Sequence, residues 1–396
     1  MEQVLFGEGY WDNADEVHAR LRDRLGSPWV VNVMLPGLCP VWVLGGSWES
    51  VRSALADRRL AKDVGLVGAT IVRKRAEAGL PPLDGPLPAM FRQTALFSDG
   101  DLHVRQRRLL GENLTADRVQ RMVPRIEHIT DALLAGLDLT GPVDLVREFA
   151  FPLPLTVICE LLGIPEVDRD GFRAMTAALM QDDPLVARPA SQAMQRFFAD
   201  LVAAKRARPG PDLTSSLLDA GDQEVIDHLI LLFVAGHETT TNLIANAIEA
   251  LAGTGAWDDL AADPGLIPRA VDEVLRHTSP VRHATHRVTV EPLAYGDVTI
   301  PAGELVMVSL ASANRDPDKF DRPDEMRPHR DARGHVAFGH GPHFCWGALL
   351  GRREAEVALH RLVTGYRAAR PPGPVRCARS AIMRGPERLL VTLTPR

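Results

Sequence analysis

Between Gln223 and Leu251 the sequence reads as one helix of about 29 residues, roughly 43 Å long at 1.5 Å per residue, enough to cross a whole molecule. A chain built around such a rod must wrap its other elements about it. The rod has a weak centre. Gly236 costs about 1 kcal/mol relative to alanine, and the hydroxyls of Thr239, Thr240 and Thr241 compete for backbone carbonyls. Such a centre either opens to admit a ligand or water, or carries threonines that merely bond back to the preceding turn. The longest nonpolar runs, Phe149 to Leu155 and Leu229 to Gly236, fall far short of the roughly 20 residues that cross a bilayer. With 45% apolar and 24% charged residues among 396, the chain has ample material to bury the rod, which excludes a disordered or collagen-like protein. The 45 basic and 51 acidic side chains give a formal charge of −6, without the basic field that nucleic-acid binders use.

The length permits two or three average domains, but no internal repeat or linker divides it, so residues 1–396 read as a single unit. The Pro/Gly-rich stretch Gly79 to Pro88 reads as a surface loop. Apolar residues at helical spacing mark Ala14 to Leu25 and the region from Leu102 onward. Trp29 to Met34 and Val41 to Leu44 read as strands around Pro36-Gly37, and Arg287 to Leu310 is a second strand-rich patch. The expected class is mainly α with minor β sheets near 28–45 and 287–310. Neither GxGxxG nor GxxxxGK is present, so a nucleotide-binding α/β fold has no support. The four cysteines, Cys39, Cys159, Cys345 and Cys377, are too scattered for a disulfide framework, and the acidic N-terminus lacks a signal-peptide core. A cytoplasmic monomer is the expectation.

The segment Phe338-Gly339-His340-Gly341-Pro342-His343-Phe344-Cys345-Trp346-Gly347 leads into a helix over Ala348 to Leu362. A thiolate at a helix start meets backbone N–H donors and the positive end of the helix dipole, which lower its pKa and favour metal ligation. A buried thiol in a glycine-rich turn is the plain alternative. Zinc is poorly served, because His335, His340, His343 and Cys345 match no CxxC or HxxxH pairing, and His237-Glu238 has threonine at 241 where HExxH needs histidine.

The segment resembles the haem-binding signature of the cytochrome P450 family, FxxGxxxCxG, and other stretches agree with it. Glu273-Val274-Leu275-Arg276 matches the family's ExxR, which implies a buried network with Arg330. Arg327 stands where the family often has aspartate. Ala313-Asn314-Arg315-Asp316-Pro317 also fits. Ala235-Gly236-His237-Glu238-Thr239-Thr240 is similar to [AG]Gx[DE]T[ST], in which the acid–alcohol pair, here Glu238 and Thr239, organises proton delivery. The resemblance implies the cytochrome P450 fold and haem b (heme b) with Cys345 as axial iron ligand. It also implies cofactor contacts from Ala235 and Gly236, and carboxylate contacts from His103, Arg107, Arg287 and His343.

The implied reaction places one oxygen atom of O2 into a C–H or C=C bond of a small organic molecule, or couples it oxidatively. Two electrons would come from NAD(P)H through a ferredoxin and ferredoxin reductase. A peroxide-driven peroxygenase of the same fold, or a non-catalytic haem sensor or carrier, are the alternatives; the Glu238-Thr239 pair argues against the first. The substrate, free or carrier-bound, is expected in specialised metabolism. Its pocket walls are implied at Val64 to Ala95, Arg173 to Arg196, the Gln223 helix before Thr239, Val281 to His286 and Ala381 to Met383. Arg282 and His283 depart from the apolar residues usual there. They either anchor a polar substrate group or, for Arg282, turn outward or join Arg287 at a haem carboxylate.

Overall fold

The computed structural model describes residues 5–7, 9–83, 92–112, 114–165, 169–179 and 184–396. The expected loop from Gly79 to Pro88, and the pocket walls between 64 and 95 and between 173 and 196, lie partly outside them. The rod is present as α10, Asp222–Leu251, one residue longer than expected at its start. It is an uninterrupted helix. Thr239 and Thr240 donate their hydroxyls to Ala235 O and Gly236 O at 2.7 and 3.0 Å, so the centre is back-bonded rather than opened.

The remaining helices are α1 (Tyr10–Leu25), α2 (Trp48–Ala56), α3 (Val64–Glu77), α4 (Gly100–Gly111), α5 (Ala116–Ala135), α6 (Pro152–Leu162), α7 (Arg169–Leu179), α8 (Pro184–Ala207), α9 (Leu213–Ser216), α11 (Gly255–Ala262), α12 (Ile267–Thr278), α13 (Leu310–Asn314) and α14 (Ala348–Gly365). A π-helical turn, Val146–Ala150, leads into α6. The main core gathers α5, α6, α8, α12 and α14 around α10, whose Leu229, Ile230 and Phe233 are fully buried. Gly236 lets α6 approach: a Cβ there would sit 3.0 Å from Ile158 Cδ1, so its lack of a side chain serves helix packing.

The strands are β1 (Trp29–Met34), β2 (Pro40–Gly45), β3 (Leu60–Ala61), β4 (Val143–Asp144), β5 (Arg287–Thr289), β6 (Leu293–Tyr295), β7 (Val298–Ile300), β8 (Leu305–Val308), β9 (Tyr366–Ala369) and β10 (Leu390–Pro395). The two strand-rich patches of the sequence are not separate. They join in one five-stranded sheet of order β1-β2-β8-β5-β3, through the parallel pairing of Trp42, Val43 and Leu44 with Val306, Met307 and Val308.

The fold is locked behind α12 by one ionic network. Arg276 and Glu273 are both fully buried and share a bidentate pair of 2.7 and 2.8 Å, as i,i+3 spacing on a helix allows. Arg276 also donates to Asn314 O and Pro323 O, and Glu273 Oε1 accepts from Arg327 N at 2.9 Å and from Arg330 Nε at 3.1 Å. Arg327 is tolerated because its backbone makes the inward contact while its side chain pairs with Asp321 at 3.0 Å outside. Glu273→Ala would leave Arg276 buried without its counter-charge, so it should destabilise the protein by about 3–5 kcal/mol. The check is the denaturant midpoint; a loss under 1 kcal/mol would contradict this account.

Candidate active site

Cys345 sits in a loop shaped by two left-handed glycines, Gly339 at φ 75° and Gly341 at φ 73°, where a Cβ would be strained. At Gly341 a Cβ would also press on Ala56 at about 3.0 Å. The loop is pinned by Cys345 N donating to Phe338 O at 2.9 Å, and Arg107 of α4 donates to Phe344 O at 2.8 Å while stacking over Trp346 at 4.7 Å. Among the described cysteines Cys345 alone is exposed. Its accessible surface opens within the protein rather than at its rim: the surrounding protein raises the thiol pKa, against the backbone N–H groups of Gly347 and Ala348 and the cations Arg107 and Arg352. The donors expected of a helix start are therefore present, and desolvation outweighs them for the free thiol.

α14, which begins three residues on, packs directly on α10. A Cβ at Gly351 would touch Thr240 Oγ1 at 3.4 Å. On α10, Ala235 is exposed and Thr239 partly so, an accessible strip one turn long in the middle of a largely buried helix. The thiol and this strip thus belong to neighbouring elements.

Cations collect beside the loop. His103 of α4 and His343 lie ring to ring at 4.2 Å, and His343 Nε2 faces Asp99 Oδ1 at 3.6 Å. Arg287, the first residue of β5, is buried and donates to Leu55 O at 3.0 Å. Burial pushes Arg287 down to about 10 and His343 to about 3, with Asp99 opposing both. Lys62 belongs to the same group. It is buried, donates to Thr285 Oγ1 at 2.8 Å, and is held well below the usual ammonium range by burial and by Arg287. Asp99 organises them, accepting from the backbone of Lys62 and Asp63 at 2.6 and 3.0 Å.

His103, Arg107, Arg287, His343 and Cys345 are thus brought together. The sequence reading missed Lys62, Asp99 and Thr285. Nothing in Leu60-Ala61-Lys62-Asp63 distinguishes a buried lysine from a solvated one. So many cations around one carboxylate is costly unless an anion joins them. Three of their buried nitrogens, His103 Nε2, His343 Nδ1 and Arg287 Nε, have no hydrogen-bond partner among the described residues. This donor set fits a group with two carboxylates and a thiolate-binding metal, which is the chemistry of haem.

Arg282 and His283 do neither of the things expected of them. Arg282 is buried under the N-terminal helix, donating to Trp11 O at 3.0 Å and lying 5.8 Å over the Tyr10 ring. His283 is fully buried, with Nδ1 on Ala381 O at 2.7 Å and its ring against Phe6 and His18. They clamp α1 onto the segment after α12. The other histidines weighed for zinc also point elsewhere: His335 to Asp272 at 3.4 Å, and His340 to Arg52 at 3.2 Å.

A family profile described as "Cytochrome P450" matches residues 256–392. Cytochrome P450 107B1 of Saccharopolyspora erythraea is 45% identical over 98% of this chain and 97% of its own length. The vitamin D(3) 25-hydroxylase of Pseudonocardia autotrophica is 41% identical over 99% and 96%. The tirandamycin C-bound structure of the P450 monooxygenase TamI superposes with a TM-score of 0.89 at 37% identity, covering 98% of this chain and 99% of that one. The chain belongs to the cytochrome P450 family. It is an oxidoreductase of the haem monooxygenase class, and among its described residues no helix is long and apolar enough to cross a membrane.

One further ionisable group lies against this architecture. Glu354 of α14 is buried without a counter-charge, and burial lifts its carboxyl from 4.5 to about 8. The folded state therefore keeps a proton that the unfolded chain releases. This contribution is complete below about 4.5 and is lost as pH rises through about 8. Melting temperatures from pH 6 to pH 9 should fall in the parent and fall less in Glu354→Gln. Parallel curves would show that Glu354 ionises normally.

Proposed function

We propose that Cys345 would bind the iron of haem b through its thiolate, that Ala235 and Thr239 would line the accessible strip that meets the bound group, and that the cation cluster would receive the haem carboxylates. The observation that carries this reading is the pairing of one accessible cysteine, in a loop turned by two left-handed glycines, with buried ring and guanidinium nitrogens beside it that lack partners among the described residues. His103, Arg107, Arg287 and His343 take the roles expected from the sequence, and Lys62 joins them as a fifth cation. Burial depresses the protonation of each, and a nearby anion would oppose that push.

When bound, haem activates dioxygen with two electrons and two protons, so that one oxygen atom enters the substrate and the other leaves as water. The chain's own residues govern the protons. Thr239 Oγ1 gives its hydrogen to Ala235 O, which leaves its lone pairs free to accept a hydrogen bond from a donor on the accessible strip. Glu238, next in line, is one-fifth exposed at its side chain and so connects toward solvent. Together they hold a proton at Thr239 Oγ1 and renew it through Glu238.

Electrons reach bacterial members of this family from redox partners; we assign a ferredoxin and its NAD(P)H-fed ferredoxin reductase here. The substrate is a specialised metabolite of predominantly apolar character. A relative named for vitamin D(3) and a solved relative holding tirandamycin C support that class.

The reduced protein under carbon monoxide should show the strongly red-shifted band of a thiolate-bound haem, and Cys345→Ser should abolish it. An unchanged band in that variant would overturn the assignment. Thr239→Ala should leave haem binding and NAD(P)H consumption intact while hydrogen peroxide replaces product. The fraction of electrons reaching product should fall about tenfold or more, equivalent to ~1.4 kcal/mol in the partition. Full coupling in the variant would mean that Thr239 holds no proton.

A further inference from the structure

His237 stands between Gly236 and the acid–alcohol pair and is fully buried, yet the reading above gives it no task. Its Nδ1 lies 2.6 Å from Phe233 O. A carbonyl only accepts, so Nδ1 carries a hydrogen. Its Nε2 lies 3.2 Å from Glu238 Oε1, off line for a directed bond, and has no other hydrogen-bond partner. Successive residues of a helix do not normally face one another, being about 100° apart around the axis, so the Glu238 side chain has folded back over its neighbour. A bare Nε2 lone pair against carboxylate lone pairs at that distance is repulsive. The contact is favourable only with a proton between the two groups.

We propose that His237 and Glu238 share one proton and act as a single store for the oxygen chemistry, with His237 as a proton-holding positioning residue. The proposal deepens the haem–thiolate reading and rests on it for its catalytic part. The proton moves from His237 Nε2 to Glu238 Oε1, turning an imidazolium–carboxylate pair into a neutral imidazole and a carboxylic acid. The acid passes it by way of Thr239 to the oxygen atom that leaves as water, and the resulting carboxylate is reprotonated from solvent. No electrons are exchanged in these transfers.

The surroundings favour this store. The ring of His237 is packed by Phe233 at 5.0 Å and by Phe151 at 5.7 Å, which exclude water from its faces. The groups facing Glu238 are His237 on α10, and Thr176 and Arg173 on α7. Burial pushes the Glu238 carboxyl up, but His237, Thr176 and Arg173 together hold it below its usual range. Arg173 also lies 5.6 Å over the Phe151 ring, so it is fixed against the same wall. Thr176 Oγ1 lies 3.1 and 3.2 Å from the carbonyls of Phe172 and Arg173, so its one hydrogen is divided between them and Glu238.

Two measurements on the holoprotein separate this inference from the haem–thiolate reading. In the reduced, carbon monoxide-bound protein with nitrogen-15 histidine, His237→Gln assigns the resonance. Both ring nitrogens of His237 should be protonated at pH 7, and Glu238→Gln should lower its titration point by more than one pH unit. A neutral ring, or a titration indifferent to Glu238→Gln, would overturn the shared proton whatever ligates the iron.

The second measurement is coupling of electrons to product across pH 6 to 9. The parent should lose coupling as the pair deprotonates. His237→Phe, which keeps an aromatic ring against Phe151 and Phe233, should be about tenfold less coupled and nearly flat in pH, and His237→Gln should behave alike. Substrate-induced spin-state titrations and the carbon monoxide band should be unchanged in both. Parent-like coupling in both variants would overturn the role. Absence of the thiolate band in the parent would overturn the haem–thiolate reading, and the catalytic part of this inference with it, while the nitrogen measurement still decides whether the pair shares a proton.

Discussion

Behind the cysteine loop, Glu273 and Arg276 meet without any contact with solvent, and much of the site depends on that meeting. A pair buried so completely contributes little to net stability over apolar packing, since desolvation offsets its attraction. Its value is positional. Arg276 reaches the carbonyls of Asn314, Pro323 and Glu325, and Glu273 takes Arg327 N and Arg330, so one helix face fixes the irregular chain leading to the loop. Irregular chain has no ladder to hold it, and here buried charge substitutes for one. Cys345 can then sit at a defined place at the start of α14.

The same economy runs through the cation cluster. Lys62, His103, Arg287 and His343 come from four separate stretches of chain, and Asp99 is the carboxylate that they have in common. Left with so few anions, each is pushed toward its neutral form. A dianionic ligand reverses that push for several groups at once, so the cost of assembling the cluster is recovered on binding.

What could be read from the sequence follows from how local each signal is. The cysteine loop, the Glu273–Arg276 pair and α10 are short patterns in which neighbouring residues supply the chemistry, so they were legible. Arg330 was placed correctly because the motif implied its partner. Other features depend on contacts between distant segments. The parallel register of β2 on β8 merged two patches that read as separate, and Lys62 gives no local sign of burial. Arg282 and His283 were misplaced because the surface that covers them belongs to α1, more than two hundred residues earlier, and a periodicity argument does not see it. The threonines of α10 show the limit of propensity: Gly236 and Thr239 weaken a free helix, yet packing by α6 and α14 keeps this one continuous.

The tie between Arg107 and Phe344 spans 237 positions of the sequence, and that between Lys62 and Thr285 spans 223. During synthesis, therefore, the early half of the chain carries its cations into the ribosome's exterior long before the segment with Cys345 exists. Long-range contacts of this kind form late and slowly. On the reading proposed above, a group held by both the thiol and the cluster would be captured only after the chain is nearly complete.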